Sequence, residues 1–254
     1  MSPLFDAVLR LPTPVIALFV LLVWGALALA INRFLVPRIC GPDGKRLGRF
    51  EAEVTSQVAL AFGLLVSFNA VWIWDRGDRV REAVLEEASA LEAILDEADY
   101  VATDAAQQQE LRRLTADYAR AMIEVEWPRL SDSVASRERP AELRALRRFG
   151  VASSGAVLDG VKRVEAARET RIREGQAVMP RSRWLIVFLL GLLTLVSIGA
   201  LHGDSPNGRA LALTLVTLAI SFCFIVLFVS GRPFVGEYAL QPTALREVLE
   251  RATR

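Results

Sequence analysis

His202 is the only histidine in the chain, and it falls in the short polar stretch HGDSPNGR. A single imidazole removes nearly every histidine-based acid–base or metal scheme. Cys40 and Cys223 are the only cysteines, one in a short polar loop and one inside an apolar run. They form neither a disulfide framework nor the ligand set of a zinc site. The stretch CGPDGKR, Cys40 to Arg46, carries the glycine and lysine of a phosphate loop without its pattern. Ile39 stands where the first glycine belongs, and Arg46 where Ser or Thr belongs. It reads as a tight turn. Glu86–Glu87 and the group Asp96, Glu97 and Asp99 lack a calcium-loop spacing and read as a solvated face. No nucleophile–base pattern appears either. An enzyme is not expected, nor a cofactor or metal.

The informative polar groups are those in apolar surroundings, where they are costly and mark contacts or pathways. The run Val54–Trp74 holds Thr55, Ser56, Gln57, Ser67 and Asn69. Ser56, Ala59, Gly63, Ser67 and Ala70 recur at helical spacing and form one small-residue face. Two readings remain open: close helix–helix packing, or a face lining a pore. Leu60 and Leu64 lie on one side of it. A ring of them in an oligomer makes a constriction that gates by dewetting.

These residues need a membrane to position them. Apolar residues make up 53% of the 254 and charged residues 23%, but the two are segregated. Four windows are nearly free of charge: Val15–Ile31, Val54–Trp74, Trp184–Leu201 and Ala210–Ser230. Each is long enough to cross or nearly cross a hydrocarbon layer of about 30 Å. A cleavable signal peptide competes for the first window, since ALALA offers small residues; the run is too long for one and contains Trp24. HGDSPNGR joins the last two windows as a turn, giving a transmembrane hairpin. Arginines flank the insert more heavily than the opposite side, which carries Arg38, Lys45, Arg46, Arg49 and Arg209. That bias places both termini and the insert in the cytoplasm. The net charge of +1 and the interleaving of Arg with Asp and Glu give no basic face for nucleic acid.

Between the second and third windows, residues 75–183 are rich in Ala, Glu, Arg and Leu, good helix formers. Val84, Ala88, Leu91, Leu95 and Ala98 make one apolar stripe. No proline interrupts Phe50 to Tyr100, so the second window runs on as one long helix, with Gly77 as a place for a bend. A helix over 104–126 follows, with Asp104 as N-cap and Pro128 disfavouring helix at Trp127. Others cover Pro140–Phe149 and Ser153 or Ser154 to Val178. The expectation is an all-α membrane protein of four transmembrane helices, with a cytoplasmic helical bundle inserted between the second and third. Its parts are 1–74 (two spans), 75–183 (cytoplasmic helical region), 184–230 (hairpin) and 231–254 (cytoplasmic tail). In GRPFVGEYALQP, Gly231 suits a left-handed helix cap and Pro233 a stop. Phe234 and Tyr238 suit the headgroup zone, and Arg232 the cytoplasmic side.

Several segments together resemble the bestrophin-like family. They are FGLLVSFNAVWIW followed by REAVLEEASAL, YARAMIEVEWP, ARETRI with Pro180 and Trp184 beyond it, and GRPFVGEYALQP. The resemblance spans nearly the whole chain. More distantly it is similar to the bestrophins, pentameric anion channels with four spans and a cytosolic helical region. That implies Gly63 near a pore neck, with Leu60 and Leu64 where bestrophins carry large apolar residues. No acidic calcium clasp is found, so calcium gating is not carried over; a pentamer is implied by the resemblance alone.

The expected function is an oligomeric, anion-permeable channel in the bacterial inner membrane, its partners being the bilayer, copies of itself and small inorganic ions. Ser56, Leu60, Gly63, Leu64 and Ser67 would line or constrict the pore, and Arg76, Arg79 and Arg232 would stand at its mouth or an interface. The alternative is a non-conducting scaffold or sensor whose helical region binds a partner through the Val84–Ala98 stripe.

Overall fold

A single helix of 49 residues, Ala52–Tyr100, carries the second apolar window onward into the charged region. At 1.5 Å per residue it is about 73 Å long, more than twice the hydrocarbon thickness. The computed structural model describes residues 12–41, 51–100, 104–131, 138–177, 179–236 and 239–254. Among them are helices and connections, with no strand. In chain order the helices are α1 (Thr13–Ala30), α2 (Val36–Cys40), α3 (Ala52–Tyr100), α4 (Ala105–Ala121) and α5 (Trp127–Ser131). They continue with α6 (Ala141–Ala152), α7 (Gly155–Gln176), α8 (Arg181–Leu201), α9 (Pro206–Ser230) and α10 (Thr243–Ala252). Four helical stretches are long and apolar enough to cross a membrane: Thr13–Cys40, Ala52–Asp99, Gly155–Leu201 and Pro206–Ser230. The predicted turn CGPDGKR lies outside the described residues beyond Gly41, whose φ of 81° is a left-handed end to α2.

The chain divides into two compact units. The first comprises Met1–Trp74 and Val178–Gly231. Its interior is built on Trp24, which packs against Phe188 and Phe224 with centroids 5.1 and 5.0 Å away. Gly191 permits this, since a Cβ there would lie 2.8 Å from the Trp24 ring. Thr55, Phe62 and Asn69, nearly two turns apart in succession, and Ile73 one turn further on put one face of α3 into this core. The apolar residues on the outside, such as Leu18, Leu22, Leu189 and Leu215, suit a lipid surrounding.

The second unit comprises Asp75–Ala177 and Arg232–Arg254. Val84, Ala88, Leu91, Leu95 and Ala98 are all buried there, the last four packed with Leu111, Leu114, Leu146, Val161 and Val248. The stripe offered to a partner under the scaffold reading is therefore covered by the chain's own helices. Asp104 and Ser154 cap α4 and α7 through their side chains, accepting from Ala106 N and Val157 N.

Helix does not stop at Trp127. Residues Met122–Glu126 form a π-turn, in which Trp127 N–H bonds to Met122 O, and the helix resumes through Pro128. The wider turn relieves the clash a proline ring makes with the carbonyl four residues back. The same device occurs at Ile31–Leu35, ahead of Pro37. Nor is 231–254 simply a tail: α10 buries Leu245, Val248 and Ala252 in the bundle core. Arg251 pairs with Asp96 at 2.5 Å and Asp99 at 3.2 Å.

Gly231 has φ −72°, so it is not the left-handed cap expected; Gly236, at φ 96°, is the left-handed residue of that segment. Phe234 is buried rather than placed among headgroups. It meets Trp127 edge-on at 5.3 Å and sits over Gly175, where a Cβ would fall 2.5 Å from its ring. Glu237 and Tyr238 lie outside the described residues. Since the pinned ring has no free direction, Gly175→Ala should cost about 1–3 kcal/mol by overpacking. Thermal unfolding of the purified variant checks this; an unchanged midpoint would contradict the packing described.

Candidate functional site

The five residues expected to line a pore occupy one side of α3. Ser56, Leu60, Gly63, Leu64 and Ser67 are all exposed, Leu60 at 63% and Leu64 at 51%. A Cβ built on Gly63 meets nothing within 4 Å. Ser67 Oγ donates to Gly63 O at 2.9 Å, which satisfies its hydroxyl within the helix. The small-residue face is split, however. Ala59 is half-buried and Ala70 buried, because they lie toward the Thr55–Phe62–Asn69 side. What remains uncovered is an arc centred on Leu60 and Leu64, edged by Ser56, Gly63 and Ser67.

The three arginines differ from one another. Arg76 is only 4% exposed, and its Nε donates to Glu174 O at 2.7 Å. It thereby satisfies a carbonyl in the last turn of α7, where a cation is favoured. Arg79 is exposed and pairs with Asp75 at 2.8 Å and Glu174 at 3.6 Å. Arg232 is half-buried.

The chain also assembles a buried ionic core. Glu87, read above as part of a solvated face, is fully buried. Arg171, also fully buried, donates from Nε to Glu87 Oε2 at 2.7 Å and from Nη2 to Glu126 Oε1 at 2.8 Å. Arg168 grips the other oxygen of Glu126 from Nε at 2.9 Å and reaches Glu138 O at 3.1 Å. Tyr118 O–H donates to Glu87 Oε1 at 2.6 Å. The Arg171 guanidinium lies 5.4 Å from the Trp127 ring centroid. Trp127 Nε1 in turn donates to Leu240 O at 3.1 Å. Two cations face two anions, so the core is neutral as a group. Of the acidic residues, Glu86 and Asp96 fit the exposed reading, Glu86 with a surface pair to Arg163 at 2.7 Å, while Glu97 and Asp99 are half-buried. Asp96 and Asp99 pair with Arg251, and Glu97 accepts from Ser154 at 3.1 Å.

Local sequence explains this placement. Val80, Val84, Glu87, Leu91 and Ile94 keep core spacing along α3, so the glutamate stands at a core position. Val157, Val161, Val164, Arg168 and Arg171 do the same along α7. The π-turn at Met122–Glu126 brings Glu126 inward. Charged residues on an otherwise apolar stripe were the signal available in the sequence.

Burial is the largest influence on Tyr118, and with the adjacent Glu87 carboxylate it raises the phenol well above its ordinary 10.0. Burial works against the Arg171 charge, but Glu87 and Glu126 outweigh it and hold the guanidinium protonated. The sign for Tyr118 follows. Below pH about 10 the phenol is neutral folded or unfolded, and its contribution is intact. Above that, the unfolded chain ionises first, so stability falls as pH rises. Thermal unfolding between pH 9 and 11 should show this slope, reduced in Tyr118→Phe; equal slopes would contradict it.

The segments meeting in this core include REAVLEEASAL (Glu87), YARAMIEVEWP (Tyr118, Glu126, Trp127), ARETRI (Arg168, Arg171) and GRPFVGEYALQP (Phe234, Leu240). Compared with known families, residues 19–245 match the family described as Bestrophin-like domain. No curated protein and no solved structure matches the chain.

Proposed function

Because this chain belongs to the bestrophin-like family across residues 19–245, we propose that it is an oligomeric ion channel with α3 lining its pore. The observation carrying this is the uncovered arc of α3, which the other three apolar helices leave open over Ser56, Leu60, Gly63, Leu64 and Ser67. In a ring of subunits Leu60 and Leu64 form an apolar constriction, where a narrow dry wall blocks ions until it widens. The small edge of the arc lets neighbouring helices approach. Anions are the permeant class on this reading. Arg79 and Arg232 raise the local anion concentration at the mouth, whereas Arg76 braces α7. Both termini and the helical region lie in the cytoplasm, in keeping with the arginine bias, and the bacterial inner membrane is the setting.

The scaffold alternative loses its contact surface, since the Val84–Ala98 stripe is internal. Reconstitution into liposomes is the test. The expected result is passive chloride or iodide flux through the purified protein. Ion-tight vesicles across a range of voltages and lipids would contradict the proposal.

A further inference from the structure

The geometry points to a fixed anion-binding site at Arg209, at the end of the first unit where α8 turns into α9. Arg209 is half-buried in the first turn of the 25-residue helix α9. Its Nε donates to Asn32 Oδ1 at 2.7 Å and its Nη1 to Gly203 O at 3.2 Å. Both acceptors are neutral, and Arg209 forms no ion pair among the described residues. Asp204, in the same turn, is exposed and forms none either. Neutral acceptors orient a guanidinium without cancelling its charge.

Each support is built for the purpose. Asn32 belongs to the π-turn Ile31–Leu35. Gly203 lies so close to α2 that a Cβ would fall 3.1 Å from Cys40 Sγ, so a side chain there would crowd Cys40 beside the carbonyl that Arg209 uses. The positive end of the α9 dipole adds to the field, with Ser205 capping the helix. Among the described residues no group accepts from Nη2, and the fork geometry suits an oxyanion. The ligand class is a phosphate-like anion, either a free inorganic ion or the headgroup of an acidic lipid. The site does not depend on conduction.

Thermal unfolding of the purified full chain tests it in two arms. One titrates sodium phosphate against sodium gluconate at matched ionic strength. The other compares phosphatidylglycerol with phosphatidylcholine in mixed micelles. A ligand at ten times its dissociation constant should raise the wild-type midpoint by about 3–5 °C. A rise in the first arm identifies a free anion, and a rise only in the second a lipid. Arg209→Gln should abolish the rise. Asn32→Leu keeps the charge but releases it, and should weaken binding by about threefold or more; it decides the matter if Arg209→Gln does not fold. No wild-type rise in either arm, or an undiminished rise in the variants, overturns the site.

Discussion

Arg171→Met is expected to lower unfolding free energy by about 3–5 kcal/mol, because it strands the Glu87 carboxylate in a fully buried position. Arg171 contacts Glu87, Glu126 and the Trp127 ring together, so its loss leaves one negative charge in excess. The four-fold variant Glu87→Leu, Glu126→Leu, Arg168→Met and Arg171→Met should be far less damaging than the single change. It removes the desolvation cost of all four ions while roughly keeping their volume. Denaturant unfolding followed by tryptophan emission measures both. If the four-fold variant is the less stable, the core contributes net stability as an ion network and the account of its energetics is wrong.

Leu60→Ala and Leu64→Ala are expected to leave the unfolding midpoint nearly unchanged, within about 0.5 kcal/mol, since both side chains are exposed on the chain. Their ion flux should nevertheless rise several-fold, because a wider and less apolar ring rewets more easily. Ser67→Ala should change little, its hydroxyl already being bonded to Gly63 O. Loss of flux together with loss of stability would mean that these leucines pack rather than gate.

The apolar windows, the proline-free run behind α3 and the cap Asp104 were legible in the sequence because each follows from local periodicity or local hydrogen bonding, whereas the choice between Ser153 and Ser154 at the start of α7 needed the structure. The continuation of helix through Pro128 was not. It depends on a five-residue turn that no single residue type announces. Glu87 was misread because its neighbour Glu86 and the acids after it look alike in composition. Only its place on the Val80–Ile94 stripe separates it from them, and only a partner from α7 makes burial affordable. The α10 helix was missed because ten residues after a proline-rich bend carry too short a period to stand out. On the membrane half, spacing identified which residues share a face, but which of them neighbouring helices cover required the fold: Ala70 is buried and Leu60 is not.

In the proposed channel α3 lines an aqueous ion path at Leu64. The most direct measurement places a single cysteine there, Leu64→Cys, with Cys40 and Cys223 replaced by alanine, in protein reconstituted for flux. A charged, membrane-impermeant methanethiosulfonate should then arrest chloride flux, with no effect on the parent lacking the cysteine. Complete modification of that cysteine with flux unchanged would contradict the claim.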